Sequence, residues 1–413
     1  MTVTFHVLWM LCALGATVYS RSVRSFDSRL PVMRRLHFAF CILNFVILTS
    51  CSHPPTPIQV SHSGAGAYEA ALATDEKGFA VAWYDTRDGN AEIYMRLLDD
   101  GGRPSGPERR LTETPDASYE ASLERLGDVF AVAWYEQTSD GRQTAMLGEW
   151  NRDGSQKWVQ AIAPASRNPV IVANGQAIIA AWIQTEPDSS EWVYMGTWDR
   201  DGGESRTRTR VGAASKTTWN LNIAVDRSGA WIVYDAAAST RASELFLARV
   251  DGSRAHLARL TKDDGAESKY PDLKISDEGR VALTWYDMRD GNDEVYLFVG
   301  SRSDMHGEID DRWRRVTVSD GESIGAYLAW NGGEVGLAWS DKTPGEHEVF
   351  FQRFDSAGMP LDSEARITRS TMWWLVPAIR PWRQGFALAW NEYQPTSSQV
   401  HEGTGEVAFA LVD

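Results

Sequence analysis

Cysteine is almost missing from this chain. The three present, Cys12, Cys41 and Cys51, all lie in the first 51 residues of 413. Everything after Cys51 is therefore without disulfides or free thiols, and zinc sites built on cysteine are excluded there. Long apolar runs are equally scarce. The run from Leu36 to Leu48 covers 13 residues and is too short for an ordinary spanning helix, and a second apolar segment runs from Phe5 to Tyr19. Helix-period stripes are not evident after residue 56. The patterns G-x-S-x-G, H-E-x-x-H, G-x-G-x-x-G and the phosphate-binding loop are absent where they would need to be. Positive charge is also short. Five Arg and one Asp precede Cys51, so 41 basic and 56 acidic residues become 36 and 55 beyond it, a net of −19. Nucleic-acid binders need a basic footprint, so such a partner is excluded.

What the chain has instead is a repeat. Ala82 to Tyr94, AWYDTRDGNAEIY, returns at Thr284 to Tyr296 as TWYDMRDGNDEVY. With Trp83 as a ruler, the same position recurs at Trp134, Trp182, Val233, Trp285, Trp339 and Trp390, in steps of 51, 48, 51, 52, 54 and 51 residues. Each unit runs as an apolar strand, an Asp/Gly turn, the Trp strand, an RDGN-type loop and a third strand. A second turn then leads to a fourth strand such as RRLT at 109, ARLT at 258 or ARIT at 365. Four short strands bounded by Gly/Asp turns form an antiparallel sheet, and seven such sheets in a ring form an all-β, seven-bladed β-propeller.

The Trp strands show how each sheet is buried. Phe79, Val81 and Trp83 point one way and Ala80 and Ala82 the other, so neither face is polar. Large residues alternating with small ones are expected where every sheet is sandwiched between two neighbours. The seventh unit ends after its third strand, at residues 406–413, and residues 57–64 supply the missing fourth. The amino-terminal strand is thus expected to pair with the last sheet and close the ring, which removes a free edge.

Residues 1–50 read as a leader, 51–56 as a linker and 57–413 as the propeller. From Met33 the chain shows two arginines, the apolar run and small residues before Cys51, the layout of a secretory signal. Residues 1–32 fit poorly ahead of it, so Met33 is expected to be the true start. The segment LTSC resembles the bacterial lipoprotein processing box, which implies a diacylglycerol anchor on Cys51. Ser52, rather than Asp, after the cysteine implies an outer-membrane address in the cell envelope.

The repeat itself resembles that of the TolB family of propellers. ATDEKGFAVAWYDTRDGNAEIYMRLLDDGG followed by RRLT keeps that family's order of turn, strand, loop and closing strand, and ISDEGRVALTWYDMRDGNDEVY keeps it in unit five. The resemblance implies fold rather than activity. No α/β domain precedes the ring and no hydrolase domain follows it, departures from TolB itself and from prolyl peptidases. The Asp-box S-x-D-x-G-x-x-W of sialidases is absent in clean form.

Chemistry is expected on the face made by the loops between strands two and three and by the connections between sheets. Binding residues expected there are Tyr68, Glu69, Asp85, Arg87, Tyr119, Glu120, Trp219, Tyr270, Asp287, Arg289, Trp373 and Trp374. Asp85, Asp88, Asn90 and Glu92 could ligate calcium. The favoured reading is a hairpin turn in which Arg87 pairs with a carboxylate, because an arginine opposes a cation site. No metal or cofactor is therefore assigned. His347 and His401, with Glu392 and Tyr393, are the candidates for acid and base.

These observations favour a lipid-anchored binding or scaffold module for a protein or glycan partner, with a polysaccharide lyase or glycosidase as the alternative. A cleft holding two carboxylates would favour the enzyme. A flat face without perturbed titratable groups would favour the scaffold.

Overall fold

The computed structural model describes residues 55–212, 215, 217–237, 242–252, 254–309, 312–369, 373–395 and 403–413. Seven four-stranded antiparallel sheets follow one another around a ring. Blade 1 comprises β2 (Ala67–Asp75), β3 (Gly78–Asp85), β4 (Glu92–Leu98) and β5 (Arg109–Arg110). The innermost strands of blades 2 to 7 are β6 (Ala117–Leu126), β10 (Ser166–Asn174), β14 (Leu221–Asp226), β18 (Ser268–Ile275), β22 (Ser323–Asn331) and β26 (Trp373–Trp382).

Closure follows the expected scheme. β1 (Ile58–Gln59) pairs with β28 (Gly403–Val412), Ile58 opposite Phe409 and Gln59 opposite Ala408. The Val60 N–H adds a bond to the Val407 carbonyl at 2.7 Å. Gly102 lets blade 1 come close to this seam. Its φ is +82°, and a Cβ there would lie 2.2 Å from the Phe409 ring.

Packing between blades obeys the large-and-small alternation. Phe79, Val81 and Trp83 share one apolar cluster with Phe409 and Ala387 of blade 7. Ala80 and Ala82 lie in another with Phe130, Val132 and Trp134 of blade 2. Blade 1 thus offers small residues to its successor's large ones, whereas blade 4 turns Trp231 and Val233 to Trp285 of blade 5, and burying these aromatic anchors is a dominant driving force for the fold.

The closing R-x-T segments have a defined task. In blade 1 the Thr112 hydroxyl accepts the Ile93 N–H at 2.8 Å and donates to the buried Glu92 carboxylate, while Arg110 reaches the other Glu92 oxygen at 3.0 Å. Blade 5 repeats this with Thr317, Arg315 and Glu294, and blade 6 with Thr368, Arg366 and Glu348. The motif is a latch that satisfies a buried carboxylate and holds a short outer strand. Blade 4 keeps Thr261 on Glu244, but its Arg259 turns to Glu308 instead.

Candidate functional site

The inner strands do not run straight into the ring. β2, β6, β10, β18 and β22 each break register near their start. At each break one residue takes a left-handed conformation: Glu69 (φ 54°), Glu120 (φ 54°), Asn168 (φ 48°), Tyr270 (φ 52°) and Gly325 (φ 60°). This region costs a residue with a Cβ about 1 kcal/mol or more, and four non-glycine residues accept it around one opening. The bulges are braced from the preceding blade. Asn391 Oδ1 accepts the Glu69 N–H at 3.3 Å, and Asp235 Oδ2 accepts the Tyr270 N–H at 2.9 Å.

These bulges form the mouth of a central tunnel of about 570 Å³, whose lining includes Glu69, Glu120, Asn168 and Tyr270. Toward the other end Glu124 meets Arg380 at 3.2 Å, and Lys274 meets Asp272 at 2.5 Å and Asn222 at 3.2 Å. A polar mouth and a paired, charged exit are joined by the smaller apolar residues of the inner strands.

The two glutamates of the mouth are electrostatically linked. Burial, and then the charge of Glu120, push the Glu69 carboxyl well above the usual carboxylate range. Burial pushes Glu120 up to about 7, opposed by the Arg167 guanidinium and a hydrogen bond from Tyr135. Both carboxyls are thus held above the usual carboxylate range, chiefly by burial. The side chains of Tyr84, Tyr135, Tyr270 and Tyr327 all lie within electrostatic reach of both glutamates.

Asp235 organises the opposite rim. Fully buried, it accepts the Trp219 N–H at 2.7 Å and the Asn220 N–H at 3.0 Å on one oxygen, and Tyr270 on the other. Burial raises its carboxyl to about 6 despite these donors. Two exposed aromatics thus hang from one carboxylate, Trp219 at 49% and Tyr270 at 37% exposure. Tyr270 stacks on Tyr286 with 5.4 Å between centroids.

Of the residues singled out in the sequence, Glu69, Glu120 and Tyr270 line this cavity, and Trp219 is exposed next to the lining residue Asn220. Tyr68 is buried against Tyr84 and Tyr393, at 5.3 and 6.0 Å between centroids, and fills a gap between blades. Tyr119 is half-buried against Tyr84 and Tyr135. Trp373 and Trp374 open β26, and their side chains lie outside the described residues, as does the whole of His401. Glu392 is half-buried and Tyr393 fully buried. His347 is buried with Nδ1 3.1 Å from Ser340 Oγ, and burial lowers its pKa.

The RDGN loops are closed on themselves. Asp85 accepts the Arg87 N–H at 3.0 Å, the Trp83 Nε1–H at 3.0 Å, the Ser63 hydroxyl at 2.7 Å and the Arg87 guanidinium. Asp287 repeats this with Arg289, Trp285 and Ser268. Asp88 takes the Tyr94 hydroxyl, and Asn90 donates to the Thr114 and Asp116 carbonyls, both at 3.0 Å. Glu92 belongs to the latch. Among the described residues, no group of three or more His, Cys, Asp or Glu is placed to hold a metal ion.

Sequence reasoning passed over Arg167, Asn168 and the tyrosines that follow the Trp anchors, Tyr84, Tyr135 and Tyr286. The available signal was the word WY itself. Trp turns to the preceding blade, so the next residue faces the following one, close to the mouth.

Fold and site together define a β-propeller with a tunnel of ligand size. No protein-family model matches the chain, and no curated protein does. Solved structures do match. A protein of unknown function from Dyadobacter fermentans is 9% identical with a TM-score of 0.51, covering 86% of this chain and 97% of that one. A puromycin-hydrolysing peptidase of Mycobacterium tuberculosis is 14% identical with a TM-score of 0.54, covering 82% of this chain and 51% of that one. A prolyl endopeptidase is 15% identical with a TM-score of 0.51, covering 81% of this chain and 46% of that one. The chain therefore spans about half the length of either peptidase. At these identities the likeness is one of fold.

Proposed function

We propose that this chain is a glycan-binding propeller lipoprotein of the TolB type, held in the bacterial outer membrane by a lipid on Cys51, with the tunnel mouth as its binding site. The observation that carries the binding reading is the convergence of Glu69, Glu120 and Tyr270 on one opening, with the exposed Trp219 beside the lining residue Asn220. Sugars offer hydroxyls to carboxyl and amide groups and C–H faces to aromatic rings. The mouth supplies both kinds of surface, and its two titrating carboxyls are not what a passive scaffold needs.

The same two carboxyls favour a second reading, glycoside hydrolysis. One would hold a proton for the leaving oxygen and the other would activate water. An array of bacterial and algal polysaccharides, scored for binding and for new reducing ends, separates these readings. Binding without release leaves a binding protein, and release makes it a hydrolase. Silence on both refutes the glycan reading and directs attention to a protein partner. The anchor is tested by metabolic labelling with a fatty acid, which should mark the wild type and spare Cys51→Ala.

A further inference from the structure

Arg249 of blade 4 is half-buried and, among the described residues, has no ion-pair partner. It lies in β16 (Ser243–Asp251), five residues after the latch carboxylate Glu244. Its guanidinium stacks on the buried Trp231 ring, 4.5 Å from the centroid, and its Nε is buried without a hydrogen-bond partner. Blade 6 shows the same position satisfied. Arg353, five residues after the latch carboxylate Glu348, donates from Nε to Asp362 at 2.8 Å and lies 3.6 Å from Glu334. In blade 4 the residue opposite Arg249 is His256. Gly229, before the Ala230 that pairs with Val250, stands where blade 6 has Glu334 before the Val335 that pairs with Phe354. Neither bears an acid.

What the guanidinium meets instead is a cavity of about 450 Å³, lined by Trp231, Arg249, His256, Leu257 and, from blade 5, His306. It lies beside the turn between Asp226 and Gly229, at the end of the strands away from the tunnel mouth. Arg302 of blade 5 meets Asp226 at 2.9 Å and so holds the segment that carries His306 against blade 4. The one acid in the lining, Asp251, is exposed and stands opposite Arg254 in the sheet, so those two charges offset.

This lining suits an oxyanion. A guanidinium stacked on an indole keeps its edge free, and that edge presents two parallel N–H groups at the spacing of carboxylate or phosphate oxygens. The rings of His256 and His306 add N–H donors. Leu257, 50% exposed, gives apolar surface to whatever bears the anion. A guanidinium half withdrawn from water without an acceptor costs stability. A bound anion supplies the acceptor that Asp362 supplies in blade 6.

We propose that this cavity is a second binding site, for the carboxylate or phosphate group of a small organic anion, with Arg249 as its anchor and His256 and His306 as further donors. It shares no lining residue with the tunnel and stands independently of the glycan reading.

Benzoate, phenyl phosphate and the neutral benzyl alcohol, titrated calorimetrically into the full chain at fixed ionic strength, test this. At least one of the two anions should bind saturably, one to one, and at least about tenfold more tightly than the alcohol. The tighter of the two identifies the kind of anion. Arg249→Gln, checked for unchanged thermal unfolding, should weaken that anion at least about tenfold. His256→Glu keeps the guanidinium but sets a carboxylate opposite it, and should weaken the anion as much. Arg353→Gln, which removes the already paired arginine of blade 6, should leave binding as it was. No saturable binding of either anion, equal binding of benzyl alcohol, or binding unchanged in Arg249→Gln or in His256→Glu overturns the proposal. So does an equal loss in Arg353→Gln, which would mark a general effect of charge.

Discussion

Replacing Asp235 with Asn tests the rim in a way that geometry and titration predict together. The change is isosteric, and Asn Oδ1 can still accept the Trp219 and Asn220 N–H groups. Its Nδ2 would face the Tyr270 N–H, donor against donor. Losing a charged acceptor there costs about 1.5 to 3 kcal/mol. The wild type carries an opposing cost, because burial raises the Asp235 carboxyl from 3.8 to about 6. A carboxyl that binds its proton more tightly when folded makes the protein more stable as pH falls. Between the unfolded value near 3.8 and the folded value near 6, the native state holds the extra proton, and above 6 that stabilisation is gone. The interval is worth about 3 kcal/mol. At pH 7.5 wild type and Asp235→Asn should therefore differ little. At pH 4, just above the unfolded value, the wild type should have gained about 2.4 kcal/mol over the variant. Urea unfolding of both proteins across this range isolates Asp235, since Glu69, Glu120 and Glu244 titrate alike in each. Parallel stability curves would refute the reasoning.

Three further outcomes follow from the same contacts. Arg315→Ala strips the latch from the buried Glu294 and should cost about 3 to 5 kcal/mol in thermal unfolding, whereas Arg259→Ala, whose partner Glu308 is surface-lying, should cost under about 1 kcal/mol. Gly102→Ala places a Cβ against Phe409 at positive φ and should lower the melting temperature by several degrees, while the open neighbour Gly101→Ala should not. Trp219→Ala should change stability by under about 0.5 kcal/mol yet weaken oligosaccharide binding about tenfold, read by calorimetry.

The ring was legible in the sequence because its determinants are local and repeated. A Trp at one position in six of the seven units, set among small and branched apolar residues, states the strand, its period and its two apolar faces at once. The closing strand was legible because six units have four strands and the seventh has three. The tunnel mouth was only half legible. Glu69, Glu120, Trp219 and Tyr270 stood out as polar or aromatic residues between blades, but nothing distinguished the exposed Tyr270 from the buried Tyr68. Both follow the same turn and both precede the same strand register, within two residues. What separates them is the neighbour: Tyr393 and Tyr84 enclose Tyr68, while Tyr270 stacks on a single ring at the rim. Nor could the left-handed bulge be read, since Glu, Glu, Asn, Tyr and Gly occupy it and share no side-chain chemistry. The R-x-T segment was read as the fourth strand, which it is, but its second task, supplying the counter-charge of a buried glutamate, was not.

A backbone conformation kept in five blades while its side chain varies separates two demands on one position. Ring geometry needs the bulge, because the inner strands must turn where they meet the opening. Gly325 shows the cheapest way to make it. Glutamate in its place adds left-handed strain and, in blades 1 and 2, a second like charge in a desolvated space. Neither burden helps the ring, so the fold alone gives no reason to keep them. Glu69→Gly should therefore remove the strain and the burial of that carboxyl and raise stability by about 1 kcal/mol, after the entropic cost of glycine in the unfolded chain. Binding at the mouth should fall in the same variant. If Glu69→Gly were instead less stable at pH 7, the glutamate would be a structural member of the mouth, and the case for the mouth as a binding site would lose support.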